Sequence, residues 1–168
     1  MKKIASIVSG LICCAAAASF AEGAGEGAAA AREEVYGYLK ECPAFFLATV
    51  DAEGGGAAVP RVRPFGALAL WDGAIYIQTG NFKPVYRQMS ANPRVEICAL
   101  KPDRGGWIRI EATVVEDTRR EARKAVLDAN PGLRGMYDED DGKTAVFRLE
   151  KATATLNSFG SPARTLEF

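Results

Sequence analysis

Arg61 and Arg63 stand two residues apart in the stretch VPRVRPFGALALWDGAIYIQTGNFK, residues 59–83. In an extended chain alternate side chains share a face, so the two guanidinium groups project together. Pro60 and Pro64 flank them, which suits a sheet edge or bend better than a central ladder position. Asp72-Gly73 lies between two apolar runs and predicts a tight hairpin. After the second run come Gln78, Thr79, Gly80, Asn81, Phe82 and Lys83. Gly80 and Asn81 tolerate the positive φ that would let consecutive backbone N–H groups converge, and Thr79 and Lys83 add a hydroxyl and a cation. A hairpin that brings the arginines beside this loop makes a small concave site for a phosphate. The same residues also suit solvated surface charges beside a plain connection. Taken alone, they leave both readings open.

Several elements must position these groups. The pattern predicts a helix from Ala31 to Glu41, with Val35, Tyr38 and Leu39 as its buried stripe and Pro43 as its stop. Residues 45–50 read as a strand apolar on both faces, and residues 51–56 as a turn. Pro84 opens a helix to about Ala91, which Asn92-Pro93 ends. Residues 95–100 form the next strand. In residues 107–116, Ile108, Ile110, Ala112 and Val114 alternate with Trp107, Arg109, Glu111 and Thr113. Thr118 and Glu121 have capping-box spacing and predict a helix to about Asn130, closed by Pro131-Gly132. A short helical piece covers residues 133–137. The acidic run 138–141 lacks calcium-loop spacing and reads as a solvated turn. Strands at 144–149 and 152–157 follow, with the tail from Ser158 on the surface. Six or seven strands, two or three peripheral helices and no internal repeat indicate a mainly β (α+β) antiparallel barrel.

The chain's 168 residues support one domain with a real core. Basic and acidic residues balance at 21 each, so no broad attraction to nucleic acid or anionic membrane is expected and any anion site is local. There is no histidine, which excludes Ser-His-Asp and Cys-His hydrolases and argues against zinc or other metal chemistry. Met1-Lys2-Lys3, an apolar run over 4–18 and Ser19-Phe20-Ala21 read as a secretory signal peptide, residues 1–21, cut after Ala21. The run is too short and Ala-rich to prefer spanning a bilayer. Cys13 stands where a lipoprotein signal wants a small residue before Cys14. Export to a bacterial periplasm or beyond follows, with no membrane attachment after cleavage. Residues 22–31 read as a flexible leader, and residues 32–168 as the domain. The mature chain keeps Cys42 and Cys98; export permits their pairing, and Cys98, inside an apolar strand, is expected as a buried free thiol.

PRVRPFGA, DGAIYIQTGNFK, a short helix ending in ANPRVEI, and GWIRIEATVVED follow one another as in the pyridoxamine 5'-phosphate oxidase-like family, which the chain resembles from about Arg32 to Phe168. The resemblance implies a split β-barrel that binds FMN, as a homodimer with two flavins at the subunit interface. It implies that Arg63 is the phosphate arginine and Lys83 the phosphate lysine, with Arg61 a second candidate on the same face. Gln78 and Thr79 match the stretch that lines the isoalloxazine and phosphate. Trp107 stands where the family often has a flavin-contacting polar residue, and is expected to stack on the flavin or to pack in the core. Arg109 shares its face and is expected either to reach the flavin ring or, the favoured reading, to form a surface ion pair.

No catalytic residue can be named, because in flavin chemistry the cofactor carries the electrons. True pyridoxamine phosphate oxidases carry a carboxy-terminal segment rich in Arg and Trp; here SFGSPARTLEF follows the last strand directly, so that substrate is not expected. The reading is a small FMN-dependent oxidoreductase acting on a small molecule. Its alternatives are a non-catalytic flavin-binding or storage protein, and the same barrel holding a deazaflavin or haem, the last disfavoured by the absence of histidine.

Overall fold

A computed structural model describes residues 13–51 and 57–168 of the chain. The elements run α1 (Cys13–Glu41), β1 (Phe45–Asp51), β2 (Val59–Phe65), β3 (Leu68–Trp71), β4 (Ala74–Gly80), α2 (Pro84–Ala91), β5 (Arg94–Leu100), β6 (Gly106–Glu116), α3 (Arg120–Ala129), a 3-10 turn (Pro131–Leu133), β7 (Thr144–Ser158) and β8 (Ser161–Glu167). The strands form one sheet in the order β2-β1-β5-β6-β7-β4-β3, with β8 also on β7, all pairs antiparallel. This is the expected mainly β barrel with peripheral helices.

Period-two alternation sets its inside and outside. On β6, Ile108, Ile110, Ala112 and Val114 are buried and pack with Leu47, Ile97 and Phe147, and with Val35 and Leu39 of α1. The neighbouring positions Trp107, Arg109, Glu111 and Thr113 face outward. On β1 the expected two-sided apolar wall has Phe45, Leu47 and Thr49 inside but leaves Phe46 half exposed outside. Cys98 also faces outward, because β5 buries Val95, Ile97 and Ala99; the expected buried thiol is Cys42 instead, and both cysteines are free.

β7 accounts for the split. The two strands expected at 144–149 and 152–157 are one strand, bent at a bulge. Glu111 faces Thr153 and Thr113 faces Glu150, so Lys151 and Ala152 together oppose Ala112, and Lys151 takes φ +50°. The polar Glu150-Lys151 pair that interrupts the alternation marks this bend. Below it β7 pairs with β4, above it with β8. The tail is exposed, as expected, but is also a strand, turned back at Gly160 with φ +82°, and the sheet has eight strands.

Other local expectations shift. The helix expected from Ala31 is continuous from Cys13, so residues 22–31 lie within it; alanine, the best helix former, outweighs the glycines there. The signal-peptide reading concerns residues 1–21, of which 1–12 lie outside the described chain, as do residues 52–56 of the expected β1–β2 turn. The capping box of α3 does not form: Arg119 is the N-cap without a side-chain cap, and its N–H is taken by Asp117 at 3.0 Å.

Candidate functional site

Arg63 sits on the barrel-facing side of edge strand β2, opposite Leu47. Its Nη1 donates to Leu47 O at 3.1 Å and to Thr49 Oγ1 at 2.7 Å, and its Nη2 donates to Gln88 Oε1 at 2.8 Å. All three acceptors are neutral. Among the described residues no carboxylate pairs with Arg63, whereas Arg61, Arg109, Arg119, Arg120, Arg134, Arg148 and Arg164 each have one. The exposed or half-buried Arg32, Arg94, Arg104 and Arg123 have none among these residues either, but only Arg63 is held by three neutral acceptors beside a cavity. Partial burial and the nearby Arg61 charge lower the Arg63 pKa. The protein therefore holds this cation, oriented but uncompensated, where its charge is disfavoured.

Beside it opens a cavity of about 270 Å³, lined by Arg63, Phe65, Gln78, Thr79, Lys83, Val85 and Tyr137 among others. Gln78 and Thr79 of β4, the N-cap of α2, and Arg63 and Phe65 of β2 thus converge, without the Arg61 that the hairpin reading also brought there. Lys83 also has no carboxylate partner among the described residues, and α2 starts at Pro84 with no side-chain cap, leaving a positive helix end beside the cavity. Two larger depressions, of about 430 and 490 Å³, lie elsewhere. Arg119 and Arg148 in the first, and Lys101 and Arg164 in the second, are neutralised by carboxylates, while Arg32 in the first rests on the Phe168 ring and Lys151 has no ion pair among the described residues.

The converging N–H groups expected at Gly80 and Asn81 do not form. Neither residue has positive φ; Asn81 N–H goes to Lys143 O at 2.9 Å and Lys83 N–H to Gly80 O at 3.0 Å. Gly80 serves close approach instead, since a Cβ there would lie 2.5 Å from the Phe82 ring. Arg61 shares the Arg63 face but is half exposed, pairs with Asp51 at 3.4 Å and stays outside the cavity. Trp107 is also apart: it stands on the outward face of β6, does not line the cavity, and its ring packs on Phe159 at 5.5 Å. Arg109 is the expected surface partner, 2.5 Å from Glu96.

Over residues 31–157 the sequence matches the family described as pyridoxamine 5'-phosphate oxidase. The chain belongs to this family. No curated protein matches it. Among solved structures, a NimC/NimA family protein from Clostridium acetobutylicum is 37% identical, with a TM-score of 0.79 over 86% of this chain and 96% of that one. General Stress Protein 26 from Bacillus anthracis str. Sterne shares the fold at 13% identity, with a TM-score of 0.62 over 82% and 98% of the two chains. A heme binding protein from Mycobacterium smegmatis does so at 19%, with a TM-score of 0.57 over 82% and 57%.

In this member of the pyridoxamine 5'-phosphate oxidase family, one cavity residue, Tyr137, and two residues behind Arg63, Thr49 and Gln88, went unread in the sequence. Gln88 and Thr49 hold Arg63, and Tyr137 lies against Lys83. Gln88 carried a signal: with Val85 and Met89 it makes the buried stripe of α2, where a polar residue stands out. Tyr137 carried none, because its place depends on distant ion pairs. Arg134 pairs with Glu139, Arg123 Nε donates to Glu139 O at 2.8 Å, and Arg120 meets Asp140 at 2.7 Å. Asp141 closes the segment: burial raises its pKa, but N–H groups of Asp138, Lys143 and Thr144 outweigh that and pull it to about 2. These carboxylates are spent on arginines and backbone, and Glu139 is buried, so the run is a tied-down turn and not the solvated one expected.

Proposed function

We propose that this chain is an FMN-binding protein, a small flavin-dependent oxidoreductase acting on a small molecule, with the phosphate of the flavin held by Arg63 and Lys83. One observation carries this: Arg63 is aimed by three neutral acceptors beside Lys83 and has no carboxylate partner among the described residues. A phosphate dianion would supply the missing charge through strong, charge-assisted bonds. Gln78 and Thr79 would line the cofactor, and membership in the pyridoxamine 5'-phosphate oxidase family supports the flavin. When bound, the flavin would supply hydride or electron transfer; this chain's residues would bind and orient it.

The cavity is small for a whole cofactor, since ligand sites usually measure roughly 300–1,000 Å³. At about 270 Å³ it suits the phosphate end, and the ring would need further cover. We therefore propose a homodimer. The outer face of β2, β1 and β5 supports it, with Val62, Phe46 and Leu100 at 69%, 49% and 50% exposure. Export rests on the amino-terminal sequence, and mass spectrometry of the protein from its host should find Glu22 as the first residue.

A titration of flavin fluorescence tests the site. Loss of the Arg63 contact should remove roughly 1.5–3 kcal/mol, so Arg63→Ala should weaken FMN about ten- to hundredfold and leave riboflavin nearly unchanged. Equal losses for both ligands would place Arg63 in the fold and not at a phosphate.

A further inference from the structure

Gln88 is 5% exposed, in the apolar stripe of α2 with Val85 and Met89. An amide buried there is stable only if both its ends are hydrogen-bonded, and they are bonded to different things. Its Oε1 accepts from Arg63 Nη2 at 2.8 Å and from Thr49 Oγ1 at 2.7 Å. Its Nε2 donates to Asp51 Oδ2 at 3.2 Å. The Asp51 carboxylate, which also meets Arg61 Nε at 3.4 Å, thus connects to Arg63 through a neutral amide.

We propose that Gln88 is a positioning residue that sets the charge specificity of this cavity: it aims the Arg63 guanidinium and holds the Asp51 carboxylate away from it, so that the cation stays available to a dianionic phosphate monoester. This rests on the phosphate reading of the cavity given above and adds the group that keeps the cation uncompensated. Thr49, 2% exposed, completes the arrangement by accepting from Arg63 Nη1 and donating to Gln88 Oε1, which leaves Oε1 only donors to face. A carboxylate in place of the amide would take both donors as well as Gln88 does. It would also neutralise Arg63 from inside, and its second oxygen would repel Asp51.

Gln88→Glu is nearly isosteric and separates charge from shape. FMN affinity should fall about ten- to hundredfold, the range for losing a charged hydrogen bond, while riboflavin affinity stays within about twofold. Gln88→Met keeps the volume but frees the guanidinium, and should lower FMN affinity less than Gln88→Glu does. FMN affinity in Gln88→Glu equal to wild type, or equal losses for FMN and riboflavin, overturns the proposal. A wild-type protein that binds neither flavin, or both equally, defeats the flavin reading instead. The positioning role is then judged from the Arg63 Nε–Hε NMR signal titrated with inorganic pyrophosphate. That signal should move in wild type and stay fixed in Gln88→Glu; no movement in wild type, or the same movement in both, overturns the role of Gln88.

Discussion

Lys83 Nζ lies 5.6 Å from the centroid of the Tyr137 ring. The cation at the N-cap of α2 therefore rests on an aromatic face from the segment between the 3-10 turn and β7, and both residues line the same cavity. Tyr137 is 8% exposed whereas Lys83 is exposed, so the contact is shielded from water on the ring side only. A cation–π contact of this kind contributes about 0.5–1 kcal/mol or somewhat more. Tyr137→Leu should weaken FMN about two- to fivefold by releasing Lys83. Tyr137→Phe keeps the ring and should bind as wild type does. A loss in the Phe variant equal to that in the Leu variant would assign the effect to the hydroxyl.

The path from sequence to site differs residue by residue. Gln78, Thr79 and Lys83 were legible because the hairpin is local: Asp72-Gly73 folds β3 on β4, and the polar loop follows at once. Arg63 lies on β2, which pairs with β1, so its place beside them is not set by that hairpin. The alternation in residues 107–116 was legible because one face of β6 is buried throughout. Trp107 lies outside the Arg63 cavity because it stands on the outward face of β6, and period-two alternation does not say what that face meets. The same holds for Cys98, whose short apolar neighbourhood does not say which face is inside. The bulge at Lys151 was visible only as a gap between two strands, since the left-handed φ that joins them leaves no residue signature in a lysine.

Asp117 ties the start of α3 to the sheet. Its side chain is 3% exposed; it accepts from Arg119 Nη2 at 2.7 Å and from Tyr76 Oη at 2.9 Å. The Arg119 side-chain bond, with the Arg119 N–H and Tyr76, holds its pKa down at about 2 despite burial. A carboxyl lowered on folding stabilises the protein above its unfolded value near 4 and loses that contribution as pH falls toward 2. The contribution is at most about 2 kcal/mol, since half-exposed Arg119 is screened by solvent. Asp117→Asn should unfold more easily in urea at pH 6 and differ little from wild type at pH 2. A constant difference across that range would mean that packing, and not charge, is lost.

Gly106 opens β6 without positive φ, so its requirement is steric. A Cβ there would stand 2.6 Å from Asn157 O, a backbone atom of β7 that can move only with its strand. Overpacking of this sort costs about 1–3 kcal/mol, and Gly106→Ala should lower the thermal midpoint by several degrees. FMN affinity per folded molecule should not change, because the Arg63 cavity does not include Gly106. An unchanged midpoint would show that β6 and β7 separate there without cost.

The outer face of the sheet gives the last test. Phe46 stands opposite Pro64 on one side and Cys98 on the other, and Leu100 stands opposite Trp107, so apolar side chains run across β2, β1, β5 and β6. Single exposed apolar residues need no explanation, but a contiguous run of this kind marks an interaction surface. Phe46→Asp leaves the core alone, because Phe45 and Leu47 are the inward residues of β1. Wild type should show twice the chain mass by light scattering at micromolar concentration, and the variant the mass of one chain. If the second subunit covers the flavin ring, the variant should also bind FMN at least about tenfold more weakly, a loss of about 1.4 kcal/mol, although Arg63 and Lys83 are intact. A wild-type monomer that still holds FMN tightly would refute the dimer and require the cavity beside Arg63 to open further within one chain.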